Sequence, residues 1–253
     1  MEMSEAYLNR FSGVARLYGE QGLYKLARAH VAVIGVGGVG SWVVEALARS
    51  GVGKITLMDF DDVCVSNFNR QILATDESVG KFKIDVLAER IRLINKECQL
   101  HLINDRFSPE TAEKFFSTDY DYIVDAFDNG IGKAFLAHHC RSQKKKLIVL
   151  GSVGGKRDPS KIKIDDLSRS TEDTLLAFMR KKLRADYGFP RIKNKKFSVP
   201  CVYSTEKYVY PEDSTEIKKL DCGGGMGAIT HLAGAFGFFA VSRVIHDLVE
   251  VGT

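Results

Sequence analysis

A short apolar run at 31–35 (VAVIG) leads into Gly35-Val36-Gly37-Gly38-Val39-Gly40, and an amphipathic stretch follows at 41–50. This sequence constrains the fold more than any other. The apolar run has the length of a buried strand. In the stretch after it, Val43, Val44, Leu47 and Ala48 share one helical face. Glycines between a strand and a helix permit a tight turn and let a phosphate approach the backbone, where the helix amino terminus favours an anion. Asp59 lies 19 residues beyond Gly40 at the end of a second strand, 54–59, where a carboxylate reaches ribose hydroxyls. Gly35, Gly37, Gly38, Gly40 and Asp59 are therefore candidate nucleotide-binding residues.

The alternation continues. Ile84, Leu87, Ile91 and Ile94 share one face of a helix over 83–94, and strands are expected at 100–104, 120–126 and 146–151. Helices at 109–116 and 133–142 separate those strands. Such spacing requires parallel pairing with right-handed crossovers. The expected class is α/β: a Rossmann-like, doubly wound, mostly parallel sheet with a C-terminal α/β elaboration. Residues 1–253 are read as a single domain, with a nucleotide-binding core at 1–150 and a C-terminal elaboration at 151–253. The elaboration has a strand at 161–166 and a helix at 172–188, whereas 190–220 shows no clear period.

Composition narrows the class. With 45% apolar residues in 253, the chain has ample material for a core. Cys64, Cys98, Cys140, Cys201 and Cys222 form no C-x-x-C pair, which argues against a zinc ribbon or a disulfide framework. The start, MEMSEAYLNRF, lacks a signal-peptide layout, so a reduced, cytoplasmic protein is expected. Between Asp221 and Arg243 there is no charged side chain. A buried or dimer-interface helix at 223–242 is favoured there over a membrane span or peripheral membrane association.

The identity of the nucleotide follows from cations. Arg70 and Lys83 lie within one unit of the glycine turn, and Asp125 and Asp128 end the strand at 120–126. A nicotinamide oxidoreductase has no need of such cations. A triphosphate does, because charge builds on the α-phosphate and on the leaving pyrophosphate. A carboxylate at a strand's carboxyl end suits magnesium carried in with the nucleotide.

The run G-x-G-G-x-G, D-F-D-x-V-x-x-S-N-x-N-R-Q, V-G-x-x-K, D-x-x-D-N resembles the ThiF/MoeB-like, ubiquitin-activating-enzyme superfamily over roughly residues 10–150. Its members adenylate a carboxylate with ATP and magnesium. The resemblance implies that Gly38 lies at the phosphates and Asp59 on the ribose. It further implies that Ser66, Asn67, Arg70 and Lys83 reach the nucleotide, and that Asp128, beside Asn129, sits at the metal. Arg70, Lys83 and Asp128 are the implied catalytic residues, and Arg16 is the preferred match to an upstream arginine, with Arg10 as the alternative. Zinc-bearing relatives carry two C-x-x-C pairs and ubiquitin-type activators a catalytic-cysteine domain, neither of which is present. Cys201 and Cys222 stay open as nucleophiles or persulfide acceptors.

GVARLYGEQGL, DDVCVSNFNRQ, GSVGGKRDPSKIKIDDLSRS, PCVYSTE with a following YP, and DCGGGMGA are together similar to one tRNA-modifying branch along nearly the whole chain. That resemblance implies a partner tRNA carrying N6-threonylcarbamoyladenosine, whose carboxylate is adenylated and then attacked by its own carbamoyl group. It also implies a homodimer and allows partners from a cysteine-desulfurase sulfur-transfer system. The competing readings are activation of a small carrier protein's C-terminus and a non-catalytic sulfur-transfer partner. Net charge is only +4, yet residues 180–196 hold eight Lys/Arg and one acid, leaving the rest of the chain at −3. This run is a candidate tRNA contact, with Tyr187 and Phe189 available to stack on a base. Lys144, Lys145 and Lys146 form a weaker candidate.

Overall fold

The structure is a computed structural model and describes residues 3–192, 195–210 and 226–250. Two helices precede the first strand, in a stretch for which the sequence pattern alone suggests no element. α1 (Glu5–Arg10) starts at Ser4, whose hydroxyl accepts from the Tyr7 amide at 3.0 Å, and α2 (Ser12–Arg28) bends at Gly19. The core unit then follows as β1 (His30–Ile34), α3 (Gly40–Arg49), β2 (Lys54–Met58), α4 (Lys83–Ile94) and β3 (Gln99–Ile103). Next come α5 (Ala112–Phe116), β4 (Tyr122–Asp125), α6 (Gly130–Ser142) and β5 (Leu147–Leu150). β6 (Ile162–Asp166), α7 (Thr174–Asp186), β7 (Pro200–Ser204) and α8 (Thr230–Val249) complete the chain.

The seven strands form one sheet in the order β3-β2-β1-β4-β5-β7-β6. All neighbours are parallel except β6, which runs antiparallel to β7. β1 is buried along its whole length, as expected of a strand covered on both faces. Val33 pairs with Leu57 on one side and Val124 on the other. One face of the sheet packs with α3, α4 and α8, bringing Val43, Leu47, Leu87, Phe236 and Val244 into one core. The other packs with α5, α6 and α7 around Phe115, Leu136, Met179 and Leu183.

β7 corrects the reading of 190–220 as aperiodic. Pro200 opens this interior strand, and Cys201, Val202, Tyr203 and Ser204 are all buried. α8 is long and apolar enough to cross a membrane, but well over half of its apolar window is buried inside the protein. It packs on α3, and a Cβ on Gly237 would sit 3.0 Å from Trp42 Cβ and 3.1 Å from the Val43 amide.

Candidate active site

β1 pairs with β2 on one side and β4 on the other, so the chain reverses its direction of winding at β1 and a crevice opens at the carboxyl ends of β1 and β4. Two loops meet there. Gly35 has φ +83°, and a Cβ on it would lie 2.7 Å from the Phe127 amide of the loop after β4. A Cβ on Gly40 would meet the Gly35 carbonyl at 1.9 Å. These two glycines thus make the turn itself possible, whereas Gly37 and Gly38 face outward to neighbouring side chains. Val39 gives α3 no side-chain cap, leaving helix amides for an anion.

Asp59 anchors the crevice from β2. Its Oδ2 accepts from the Val36 amide at 2.7 Å and its Oδ1 from the Asp61 amide at 2.9 Å. The next segment lies over the glycine turn. Arg70 runs its stem across Gly38, with Cγ and Cδ both 3.7 Å from a Cβ built there. Its guanidinium donates to the Ser66 carbonyl at 2.6 Å and to Asn69 Oδ1 at 3.0 Å, and its own carbonyl accepts from Trp42 Nε1 at 3.0 Å. Asn67 is buried, with Oδ1 accepting from the Cys64 amide at 3.1 Å, so it shapes this segment. Gln71 Oε1 is buried without a protein partner on this segment.

Lys83 opens α4 with its side chain 7% exposed and its Nζ 2.7 Å from Asp61 Oδ2. A buried ammonium held by one half-exposed carboxylate is already desolvated and is ready to exchange that partner for a phosphate. Asp128 is exposed after β4 and makes no side-chain hydrogen bond or ion pair among the described residues. Asn129 Oδ1 accepts from the Gly132 amide at 2.8 Å and caps α6. No cluster of three metal-binding side chains exists among the described residues. A lone free carboxylate suits a magnesium ion that arrives on a triphosphate and keeps most of its own shell.

The ThiF family profile matches residues 10–250. The chain belongs to the ThiF family. Among curated proteins, the tRNA threonylcarbamoyladenosine dehydratase of Haemophilus influenzae is 46% identical over 253 residues, 99% of this chain and 97% of that protein. The crystal structure of the Escherichia coli tRNA N6-threonylcarbamoyladenosine dehydratase in complex with ATP superposes with a TM-score of 0.91 at 43% identity, covering 99% of this chain and 98% of that one. The AMP complex of the same E. coli protein gives the same values.

In this ThiF family member, Asp125, the other acid that ends the strand, is held inside the protein. It is fully buried and lies 2.5 Å from the equally buried Lys133 Nζ. Desolvation pushes the Asp125 carboxyl up to about 6, against the pull of Lys133. Lys133 Nζ also lies 5.1 Å from the Phe127 ring centroid, so the pair fixes the loop that carries Asp128. Strand and helix patterns do not reveal such a pair, because its partners lie on separate elements.

The segments that resemble the tRNA-modifying branch converge beside this crevice. The Gly155 amide donates to the Gly227 carbonyl and its carbonyl accepts from Val209, both at 2.8 Å. Buried Lys156 donates to the Glu172 carbonyl at 2.7 Å and to the Glu206 carbonyl, with its Nζ 3.9 Å from the Tyr208 ring centroid. Asn69 Nδ2 donates to the Ala228 carbonyl at 2.8 Å, and the Thr230 hydroxyl donates to the Asn69 carbonyl. Asp173 caps α7 through Leu176 at 2.9 Å and receives the Ser152 amide at 2.8 Å. Burial raises the Asp173 carboxyl above the usual range.

Other expectations fare differently. Arg16 is exposed on α2, and no hydrogen bond or ion pair joins it to the glycine turn. Arg10 lines a cavity with Arg49 and Arg90, at the opposite end of α3 from the turn. Cys201 is wholly buried on β7, where desolvation pushes its thiol far up, so it is a poor nucleophile. Cys222 lies outside the described residues. Phe189 is only 3% exposed, under Arg141 and against Phe197, and so cannot stack on a base. Tyr187 stacks on His138 at 4.5 Å.

Proposed function

We propose that this chain uses ATP to adenylate the carboxylate of N6-threonylcarbamoyladenosine in tRNA and closes the product to the cyclic oxazolone form. The observation that carries this reading is the match of 43–46% identity along nearly the whole chain to dehydratases of that name. An ATP complex of one of them supports the nucleotide.

In the first step a carboxylate oxygen attacks the α-phosphorus and pyrophosphate leaves. Gly38 and the α3 amides lie at the phosphates, and Asp59 binds the ribose. Arg70 and Lys83 offset the charge that grows on the phosphates. Ser66 and Asn67 hold the Arg70 segment over the turn. Magnesium, held by Asp128, would neutralise phosphate charge. In the second step the neighbouring carbamoyl group attacks the acyl carbon, loses one proton, and AMP leaves. The nucleophile is already tethered to its target, so proximity supplies much of the rate and no enzyme thiol is needed. The burial of Cys201 supports this over a persulfide relay through that residue.

A homodimer is supported by Phe238 and Phe239, which stay 50% and 39% exposed on α8. Dependence on ATP and tRNA supports a cytoplasmic location. Incubation with ATP, magnesium and threonylcarbamoylated tRNA should release AMP and pyrophosphate together, only when the modified tRNA is present. AMP release at the same rate with a carrier-protein C-terminus and none with tRNA would favour the carrier-activating reading instead.

A further inference from the structure

The last turn of α6, which leads into the basic segment 144–146, packs against Phe189 of the basic run at 180–196. Arg141, on the last turn of α6 before the first segment, lies over the ring of Phe189 in the second at 4.4 Å. Beside them a cavity of about 190 Å³ opens at the amino ends of β4, β5 and β7, the edge opposite the nucleotide crevice. Ser198, Val199 and Pro200 form part of its wall.

Four cations line this cavity, Arg141, Lys145, Lys146 and Arg243, against one carboxylate, Asp247. Asp247 is already satisfied. Its Oδ2 accepts from the Tyr122 hydroxyl at 2.9 Å, both oxygens lie 2.8 Å from Arg243 Nε, and its carbonyl takes Lys146 Nζ at 2.8 Å. Lys145 pairs with Asp119 at 2.7 Å, but that carboxylate is 94% exposed, so the pair is weak and exchangeable. The Arg141 guanidinium makes no hydrogen bond among the described residues, and neither Nη atom of Arg243 has an acceptor there. The wall therefore presents unclaimed guanidinium donors and surplus positive charge. Guanidinium forks match phosphate oxygens better than any other anion but carboxylate, and a point-charge lysine beside them adds attraction.

We propose that this cavity is a phosphate-binding subsite, and that in the tRNA reaction it holds a backbone phosphate remote from the reacting nucleoside. The RNA role rests on the function proposed above; the phosphate site itself does not. Strands of this length at about 3.3 Å per residue put the two sites on the order of 15 Å apart, and a folded RNA carries phosphates over a wider span than that.

The test uses the full chain with Arg141→Gln and Lys145→Gln combined, with Arg141→Lys as the variant that keeps charge but loses the fork. Thermal unfolding checks that the fold persists, since Arg141 is exposed and Lys145 half-buried. Inorganic phosphate alone, followed by phosphorus NMR with AMP saturating the nucleotide site, should broaden with the parent and not with the double variant. The slope of log tRNA affinity against log salt should become shallower by about 0.7–0.9 for each phosphate no longer neutralised. Arg141→Lys should fall between the two. Loss of phosphate broadening with an unchanged tRNA slope would overturn the RNA assignment and leave a site for free phosphate. No change in either readout would overturn the proposal outright. A parent that binds phosphate here but does not act on tRNA would refute the proposed function alone.

Discussion

In the proposed reaction, Arg70 is the residue on which the adenylation chemistry turns. Its stem covers Gly38 while Ser66 and Asn69 hold the guanidinium, so the charge is aimed before any nucleotide arrives. Preorganised donors of this kind contribute because they need not reorient as charge develops. Arg70→Ala should therefore lower AMP formation by about 10²–10³-fold, as deletion of one such donor does elsewhere. A steady-state assay at saturating ATP checks this, and a loss under about threefold would contradict it. Lys133 is a different case, because it acts on the site through the fold. Removing it leaves a fully buried Asp125 carboxyl without its partner, so Lys133→Met should cost about 3–5 kcal/mol in urea unfolding. The double change with Asp125→Asn should recover part of that loss, because no ionisable group is left buried without its partner. Equal losses in the single and double variants would refute the ion-pair account.

Among the elements, the α3–α8 contact joins the nucleotide unit to the C-terminal elaboration. Gly237 permits it, since a side chain there would press on Trp42, Val43 and the Val39 carbonyl. Gly237→Leu should cost about 1–3 kcal/mol by overpacking, read as a lower urea midpoint with an unchanged slope. Elements with a strong period were legible in the sequence. The strand at 31–35, the helix at 41–50 and the helix at 83–94 appear within a residue or so of their expected bounds as β1, α3 and α4. β7 was not legible, because an interior strand of five residues opening on proline, after a lysine-rich stretch, carries no alternation to detect. That Asp59 and Arg70 lie against the glycine turn could be read because a motif fixes their spacing. The Asp125–Lys133 pair and the Lys156 carbonyl cage could not, since each depends on which loops the sheet brings together. Phe189 escapes a sequence reading for the same reason: an aromatic inside a charged run looks exposed until Arg141 and Phe197 cover it.

For the molecule as a whole, two kinds of surface sit at opposite ends of one sheet. At the carboxyl edge the glycine turn, the Arg70 segment and the branch-like segments around Gly155, Glu206 and Ala228 form a single hydrogen-bonded frame. At the amino edge Arg141, Lys145, Lys146 and Arg243, distant in sequence, line a cationic cavity. A net charge of +4 conceals this separation, which is why composition alone gave little sign of an RNA partner. That the protein carries out an ATP-driven ring closure on tRNA is best tested by mass spectrometry of nucleosides from tRNA treated with it, ATP and magnesium. N6-threonylcarbamoyladenosine should be replaced by a nucleoside lighter by the mass of one water, with one AMP formed per nucleoside converted. An unchanged nucleoside mass, from protein that binds ATP and is folded, would contradict that reaction.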